Sequence, residues 1–428
     1  MSRRVQRATA MPAKSSVGLG VSRISGLGLC LFLGFANSSR AQETIRPSVP
    51  DGQVRLLTSD AAILESQDTR KDLPCAVTPA KPSLGFDLKF HSGYDVTIGL
   101  KELAGADNLL TIVFRIAPEA PLEEPVFFSQ HFTVPAIDDD DRGPAFLQGA
   151  FDLGEGKYHV DWLMRDRTDR VCSFHWDSEA SLPPKDRPMA LDIAAGAVQP
   201  VDPELFRQEP PVIRDGNGQP LRVKVVVNFA PQDSGAATLR PLDSNALVSI
   251  LRNISRDPRI GRFSIVAFNM QSQRVLYRQE EASQIDFPAL GRALSKLSLG
   301  TVDLKHLTQK HGESEFLCGL LASEVGGSME SPDAVIFAGP KVMLDDGLPP
   351  DTLKQLGEVK FPVFYMNYNL YPQANPWRDA IGNAVRASKG IEYTISRPRD
   401  LFFAWSEIMG RIVKLKLGSA GSGNSSSQ

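Results

Sequence analysis

The sequence predicts an α/β protein with a doubly wound, mostly parallel sheet, preceded by a β-sandwich. Three observations carry that expectation. Val223–Phe229 holds four valines and a phenylalanine in seven residues with one charge, the pattern of a strand buried on both faces. From there to about residue 416, strand and helix patterns alternate. Before it, short apolar or alternating runs recur with turn signals between them and almost no helical period.

The chain opens on a leader rather than on structure. Arg3, Arg4, Arg7, Lys14 and Arg23 precede an uncharged run from Ile24 to Ala36, and Ser39-Arg40-Ala41 offers small residues where a signal peptidase reads. Residues 1–41 are therefore expected to be a signal peptide. Arg3-Arg4 sits too far from the apolar run for twin-arginine export. That run is too short to span a bilayer, and no later stretch is long enough either. Residues 1–41 carry six bases and no acid; with the whole chain at −3, the rest is at −9. A mildly acidic chain disfavours nucleic acid as a partner. The expected location is secreted, periplasmic or in the cell envelope.

Residues 53–182 are expected to form an immunoglobulin-like sandwich. Strands are predicted near Phe86–Phe90, Val96–Leu100, Leu109–Ile116, Val126–Val134, Leu147–Leu153, Lys157–Met164 and Val171–Trp176. Seven short strands also fit a small barrel. In the hairpin Lys157–Trp176, Tyr158, Val160, Trp162 and Met164 alternate with Lys157, His159, Asp161 and Arg165. One face is apolar, and Asp166–Asp169 makes the turn. The apolar face reads as core. Cys75 and Cys172 fall in this segment and form the expected disulfide in an oxidising compartment. Cys30 lies in the leader, and Cys318 reads as a buried thiol. Asp138–Asp141 could hold calcium, but four consecutive acids point in different directions, and the cluster reads as a solvated loop.

Residues 183–220 are a proline-rich linker: Pro183, Pro184, Pro188, Pro200, Pro203, Pro210, Pro211 and Pro220 forbid long helices there. Residues 221–416 hold the α/β texture. A strand at Val223–Phe229 leads to a helix at Asp243–Ser255, which Asp243 or Ser244 would cap. Strands Phe263–Phe268 and Arg274–Arg278 follow, the latter at an antiparallel edge. Then come helices Phe287–Leu297 and Glu313–Val325, strand Ala334–Ala338 and helix Pro350–Leu356. Strand Val363–Asn367, helix Pro376–Ala387, strand Ile391–Ile395 and helix Asp400–Val413 complete the order. Residues 417–428 are Gly/Ser-rich and expected to be disordered.

That element order resembles the von Willebrand factor A domain, a Rossmann-type winding, and more closely the secreted A-domain-related proteins of bacteria. The resemblance covers about residues 221–416 and rests on order and texture. It implies a divalent-metal site at the carboxyl edge of the sheet, with Asp-x-Ser-x-Ser after the first strand. The matching positions are Asn228, Ala230 and Gln232, with no carboxylate and no hydroxyl. Ser314 holds the place of the family's threonine, and Gly339 stands where its second aspartate would be. A hard dication needs several oxygens, usually with a carboxylate, so the metal site is expected to be degenerate and no cofactor is expected.

Other chemistry is sparse. His306 and His311 with Glu313 and Glu315 form a His/acid cluster, but the spacing is not that of one helix face, and HExxH is missing. Asp233-Ser234-Gly235 lacks the strand–Gly-x-Ser-x-Gly–helix setting of a nucleophile. There is no Walker loop and no GxGxxG. Trp377, Phe402, Phe403 and Trp405 read as helix-face core. The functional expectation is a secreted, non-enzymatic protein-binding or scaffold protein that engages a protein partner by its loop-bearing edge. The alternative is a metal-dependent hydrolase using His306, His311 and Glu313.

Overall fold

Fifteen strands and eight α-helices are found among the described residues, which are 43–45, 56–119, 124–214, 220–233, 236, 239–297, 311–325, 331–344, 347–356, 359–374 and 376–423 of a computed structural model; for 43–45, 355 and 418–423 only the backbone is described. The leader residues and His306 lie outside these. The first part of the chain runs β1 (Glu43–Ile45), α1 (Thr58–Ser66), β2 (Cys75–Leu84), β3 (Phe90–Gly99), α2 (Leu100–Leu103), β4 (Asn108–Pro118), β5 (Val126–Val134), β6 (Pro144–Leu153), β7 (Gly156–Arg165), β8 (Val171–Ala180) and β9 (Val198–Pro200). The second runs β10 (Leu221–Asn228), α3 (Pro241–Ser255), β11 (Ile260–Asn269), β12 (Arg274–Ala282), α4 (Phe287–Leu294), α5 (Gly312–Val325), β13 (Ala334–Gly339), α6 (Pro350–Leu356), β14 (Val363–Tyr368), α7 (Ala380–Ala387), β15 (Ile391–Ile395) and α8 (Pro398–Gly423).

The fold class expected from the sequence is corrected. Nine of the fifteen strands lie in antiparallel sheets, ordered β1-β5-β4-β7-β8 and β2-β3-β6-β9, and the third sheet, β12-β11-β10-β13-β14-β15, is mixed. The chain is thus mostly sandwich-like antiparallel sheet with a mixed sheet beside it, and a doubly wound fold of von Willebrand type is not shown. The physical reason is that an apolar run reports burial, not pairing. β-Branched strands look alike in parallel and mixed sheets, and element order does not say how they wind.

The antiparallel sheets face one another across a shared core. Phe90, Tyr94, Val96, Phe151 and Leu153 from the four-stranded sheet pack with Ile112, Phe114, Phe128, Val160, Trp162 and Met164 from the five-stranded one. The period-two alternation of β7 sends Tyr158, Val160, Trp162 and Met164 into this core. The segment Phe86–Phe90, expected as a strand, is a turn closed by Gly85 N–H donating to the Lys89 carbonyl at 2.8 Å, with Leu88 at φ 61°. Part of the proline-rich stretch is strand: Val198–Pro200 pairs antiparallel with β6. Cys75, on β2, is bonded to Cys172, on β8, which ties the two sheets together.

In the mixed sheet β10 is internal, pairing parallel with β11 and β13, while β12 runs antiparallel to β11. Val223, Val225 and Val227 join a core with α3, α4 and α8. Val226 points the other way, into a core with α5, α6 and α7. α3 starts at Pro241 with Arg240 at the N-cap, so Asp243 is a first-turn residue and not the cap; proline suits the first helical position because it lacks the N–H that would go unpaired there. α7 starts at Ala380 rather than Pro376, because Asp379 is its N-cap and accepts from Gly382 N. α8 continues to Gly423, into the stretch expected to be disordered.

Arg40–Gln428 form one unit, and contacts between sandwich and mixed sheet are part of it. Arg256, just after α3, donates to both oxygens of Asp192 at 2.9 and 2.8 Å and to Glu209 at 2.7 Å. Arg399 meets Asp186 at 2.8 Å. Phe86 packs edge-on against Tyr368, with centroids 5.9 Å apart.

Candidate functional site

The carboxyl ends of β10, β13 and β14 bring most of the sequence-predicted positions to one rim. Val227 pairs with Ala338 and Gly339 with Asn367, so Asn228, Gly339 and Asn367 form a row across three neighbouring strands. Gly339 has φ +138°, and a β-carbon there would lie 2.8 Å from both the Asn228 β-carbon and its carbonyl oxygen. Only glycine fits that approach and that backbone conformation. The row is lined by amides. Asn228 Oδ1 accepts from Met270 N at 3.2 Å, and Asn367 Nδ2 donates to Glu392 Oε1 at 2.8 Å. Those bonds fix the orientation of each amide. Asn228 Nδ2 and Asn367 Oδ1 are left buried and unpaired.

A second group of amides sits over the end of β13, where the chain after β10 meets the chain after β14. Gln232 Oε1 accepts from Leu370 N at 3.2 Å, and Asn369 Oδ1 accepts from Tyr371 N at 3.1 Å. Gln232 Nε2 and Asn369 Nδ2 are buried without a partner. The buried Tyr368 hydroxyl lies beside the Asp243 carboxyl, and burial first and that carboxyl second hold the phenol above its ordinary range, with Arg240 opposing them. Burial in turn pushes the Asp243 carboxyl up. Each buried donor without an acceptor costs about 1–3 kcal/mol relative to its hydrated state. A concentration of such atoms at one end of a sheet is a reason to look for a ligand.

Asp379 and Tyr365 brace the rim from below. The Tyr365 hydroxyl donates to Asp379 Oδ2 at 2.8 Å, and the same oxygen accepts from Val342 N at 3.2 Å. Burial raises the Asp379 carboxyl despite these bonds. The arrangement fixes the loop after β13 against the start of α7, and Lys341 Nζ donates to the Trp377 carbonyl across the same seam.

The segments that follow these strands carry exposed apolar side chains beside exposed charges such as Arg240 and Arg378. Leu242, Met343, Tyr371 and Trp377 are among the exposed large apolar side chains, the last two at 70% and 73% exposure. Trp377 is therefore not helix-face core, since it precedes α7 instead of lying on it. Trp405, by contrast, is buried in the core under α8.

The remaining candidates fall elsewhere. Ala230 is buried and apolar at the end of β10. The Ser314 hydroxyl donates to the His311 carbonyl at 3.0 Å, so it serves the first turn of its own helix. The backbone oxygens of Asp139 and Asp141 accept from Arg142, while the side chains of Asp138–Asp141 are exposed. Among the described residues no group of three or more His, Cys, Asp or Glu side chains stands together as a metal would require. Also among them, no helix is long and apolar enough to cross a membrane. Sequence reasoning missed Tyr365, Asn367, Tyr368, Asn369 and Asp379. The signal that could have found them is the run of Asn and Tyr in Tyr365–Tyr371, at the end of an otherwise apolar strand.

The rim thus combines buried neutral amides with exposed apolar and charged side chains on the loops. No family model matches the chain, and no curated protein matches it. Among solved structures, a β-glucuronidase of Bacteroides uniformis is 11% identical with a TM-score of 0.17, over 71% of this chain and 39% of that one. A calcium-binding mutant of Bacteroides uniformis β-glucuronidase 2 is 8% identical with a TM-score of 0.16, over 75% and 33%. A glycosyl hydrolase family 2 member from Bacteroides cellulosilyticus is 10% identical with a TM-score of 0.17, over 73% and 36%. The chain thus spans well under half the length of each, and likeness at this level carries no activity across.

Proposed function

We propose that this chain is a secreted, non-enzymatic binding or scaffold protein that engages a protein partner through the carboxyl rim of its mixed sheet. The observation that carries this reading is the exposure of Leu242, Met343, Tyr371 and Trp377 on segments that follow three neighbouring strands. Large aromatic side chains held on a rigid support are the usual energetic anchors of protein interfaces. The support here is rigid because the loops are pinned by Asp379, Gly339 and Gln232. Export agrees with the basic, apolar leader and with the Cys75–Cys172 bond, a pairing favoured in oxidising compartments.

The test is where a partner touches the protein. A photo-cross-linking residue is placed at Tyr371 and, as the control, at Phe146, an equally exposed aromatic on β6. Each chain is expressed in its own secretion compartment and irradiated. The expected result is one discrete adduct from the Tyr371 position and none from Phe146. Equal adducts from both, or adducts from Phe146 alone, would overturn the reading.

A further inference from the structure

We infer that the free margin of β8, from Phe174 to Ala180, takes up an extended segment of a partner protein as an added strand, one in which basic and apolar side chains alternate. β8 is last in its sheet and pairs with β7 in unbroken register. Its other side is covered at one end, where Ser173 N donates to the Arg70 carbonyl and Leu73 N to the Val171 carbonyl, both at 3.0 Å. Those bonds fix the direction of the backbone, because alternate residues of an antiparallel strand turn their N–H and C=O to opposite sides. The groups of His175, Asp177 and Glu179 therefore face away from β7. Among the described residues no strand or bridge lies against them. An open row of this kind is a template for another chain.

The side chains select the segment. Phe174 and Trp176 pack against the sandwich core and are only partly buried, so every second residue of an added strand extends that core and should be apolar. The residues between lie on the outer face, beside His175, Asp177 and Glu179. Asp177 and Glu179 are exposed there. Next to His175, at the end of α1, opens a cleft of about 160 Å³ lined by Gln67, Asp68, Asp161 and Ser173 among others. The cations that meet these carboxylates stand on the covered side of β8. Arg115 and His159 reach Asp161, His159 also reaches Asp177, and Lys157 lies opposite Glu179. Arg70, at the covered end, is engaged by Asp72. The open side thus presents carboxylates, which basic side chains complement. Main-chain bonds supply the affinity of an added strand and alternate side chains its specificity.

The experiment titrates the full chain into a labelled, end-blocked peptide of alternating lysine and valine, read by fluorescence anisotropy. A glutamate–valine peptide is the charge control. Two further lysine peptides carry backbone N-methyl groups, one on the lysines and one on the valines. The expected result is saturable binding of the lysine peptide and none of the glutamate peptide. N-methylation of one set should abolish binding and of the other leave it within about twofold, because the N–H groups of just one set face β8. His175→Pro removes an outward N–H and keeps the bonds to β7, which an edge tolerates; it should weaken binding at least tenfold, whereas His175→Ala keeps the N–H and should bind within about threefold of the parent. Asp177→Asn with Glu179→Gln should weaken it at least threefold. A lysine peptide that does not bind, a glutamate peptide that binds as well, or methylated peptides that bind alike would each overturn the inference. Should His175→Pro fail to fold by melting, the methylated peptides decide the outcome.

Discussion

Gly339 stands against Asn228 so closely that a single added methyl group would come within 2.8 Å of the Asn228 backbone oxygen. The contact sets the spacing of the rim, since these residues end adjacent strands. Gly339→Ala should lower stability by about 2–3 kcal/mol, from overpacking and from the positive φ together. Urea unfolding of the variant measures it. A loss below about 0.5 kcal/mol would show that the strand ends are free to part.

An ion triad with two buried members lies on the face of the mixed sheet that packs on α5. Glu324 meets Lys224 at 3.2 Å and Arg278 at 2.5 Å. Removing the shared carboxylate strands Lys224 in an apolar layer, so Glu324→Gln should cost about 3–5 kcal/mol. Changing Glu324 and Lys224 together to Met should cost far less, because Arg278 is half-exposed and stays hydrated. Denaturant midpoints of the single and double variants check this; equal losses would contradict it.

His91 is clamped between two carboxylates, Asp152 at 2.7 Å and Asp87 at 2.9 Å. Hydrogen bonds to Asp152 and then Asp87 push its imidazole up to about 10 from an ordinary 6.5. A raised folded-state value means that the protonated clamp stabilises fully below pH 6.5 and is lost as pH rises through 10. The melting temperature should therefore fall across that window, and His91→Gln should flatten the fall. An unchanged slope in the variant would remove His91 as its cause.

The Cys75–Cys172 bond closes a span of 97 residues. Restricting so long a loop in the unfolded chain is worth about 2–4 kcal/mol. Changing both cysteines to serine should lower stability by that amount, read from unfolding without reductant. The same bond should make the parent, but not the variant, sensitive to dithiothreitol.

The sequence spoke clearly where burial alone decided the structure. Val223–Phe229, apolar but for Lys224 and Asn228, and Ala334–Ala338, apolar throughout, mark two internal strands of the mixed sheet. It was silent about β2, where Pro79 and Pro82 argue against a strand; β2 is an edge with β3 as its one partner, and an edge tolerates residues that cannot donate. Winding was not legible either, because apolar runs do not encode which neighbour a strand takes. The rim was half legible. Asn228, Gln232 and Gly339 were found by position, but Asn367 read only as the last residue of a strand and Asn369 carried no signal, since burial of their amides depends on the folded loops.

The central claim is that partners are bound at the carboxyl rim of the mixed sheet. Hydrogen exchange of the full chain, alone and with the protein recovered by the Tyr371 cross-link, tests it most directly. Binding should slow exchange in residues 228–233, 340–344 and 369–374 and leave the sandwich strands unchanged. Protection confined to the sandwich, with the rim exchanging as before, would contradict the account.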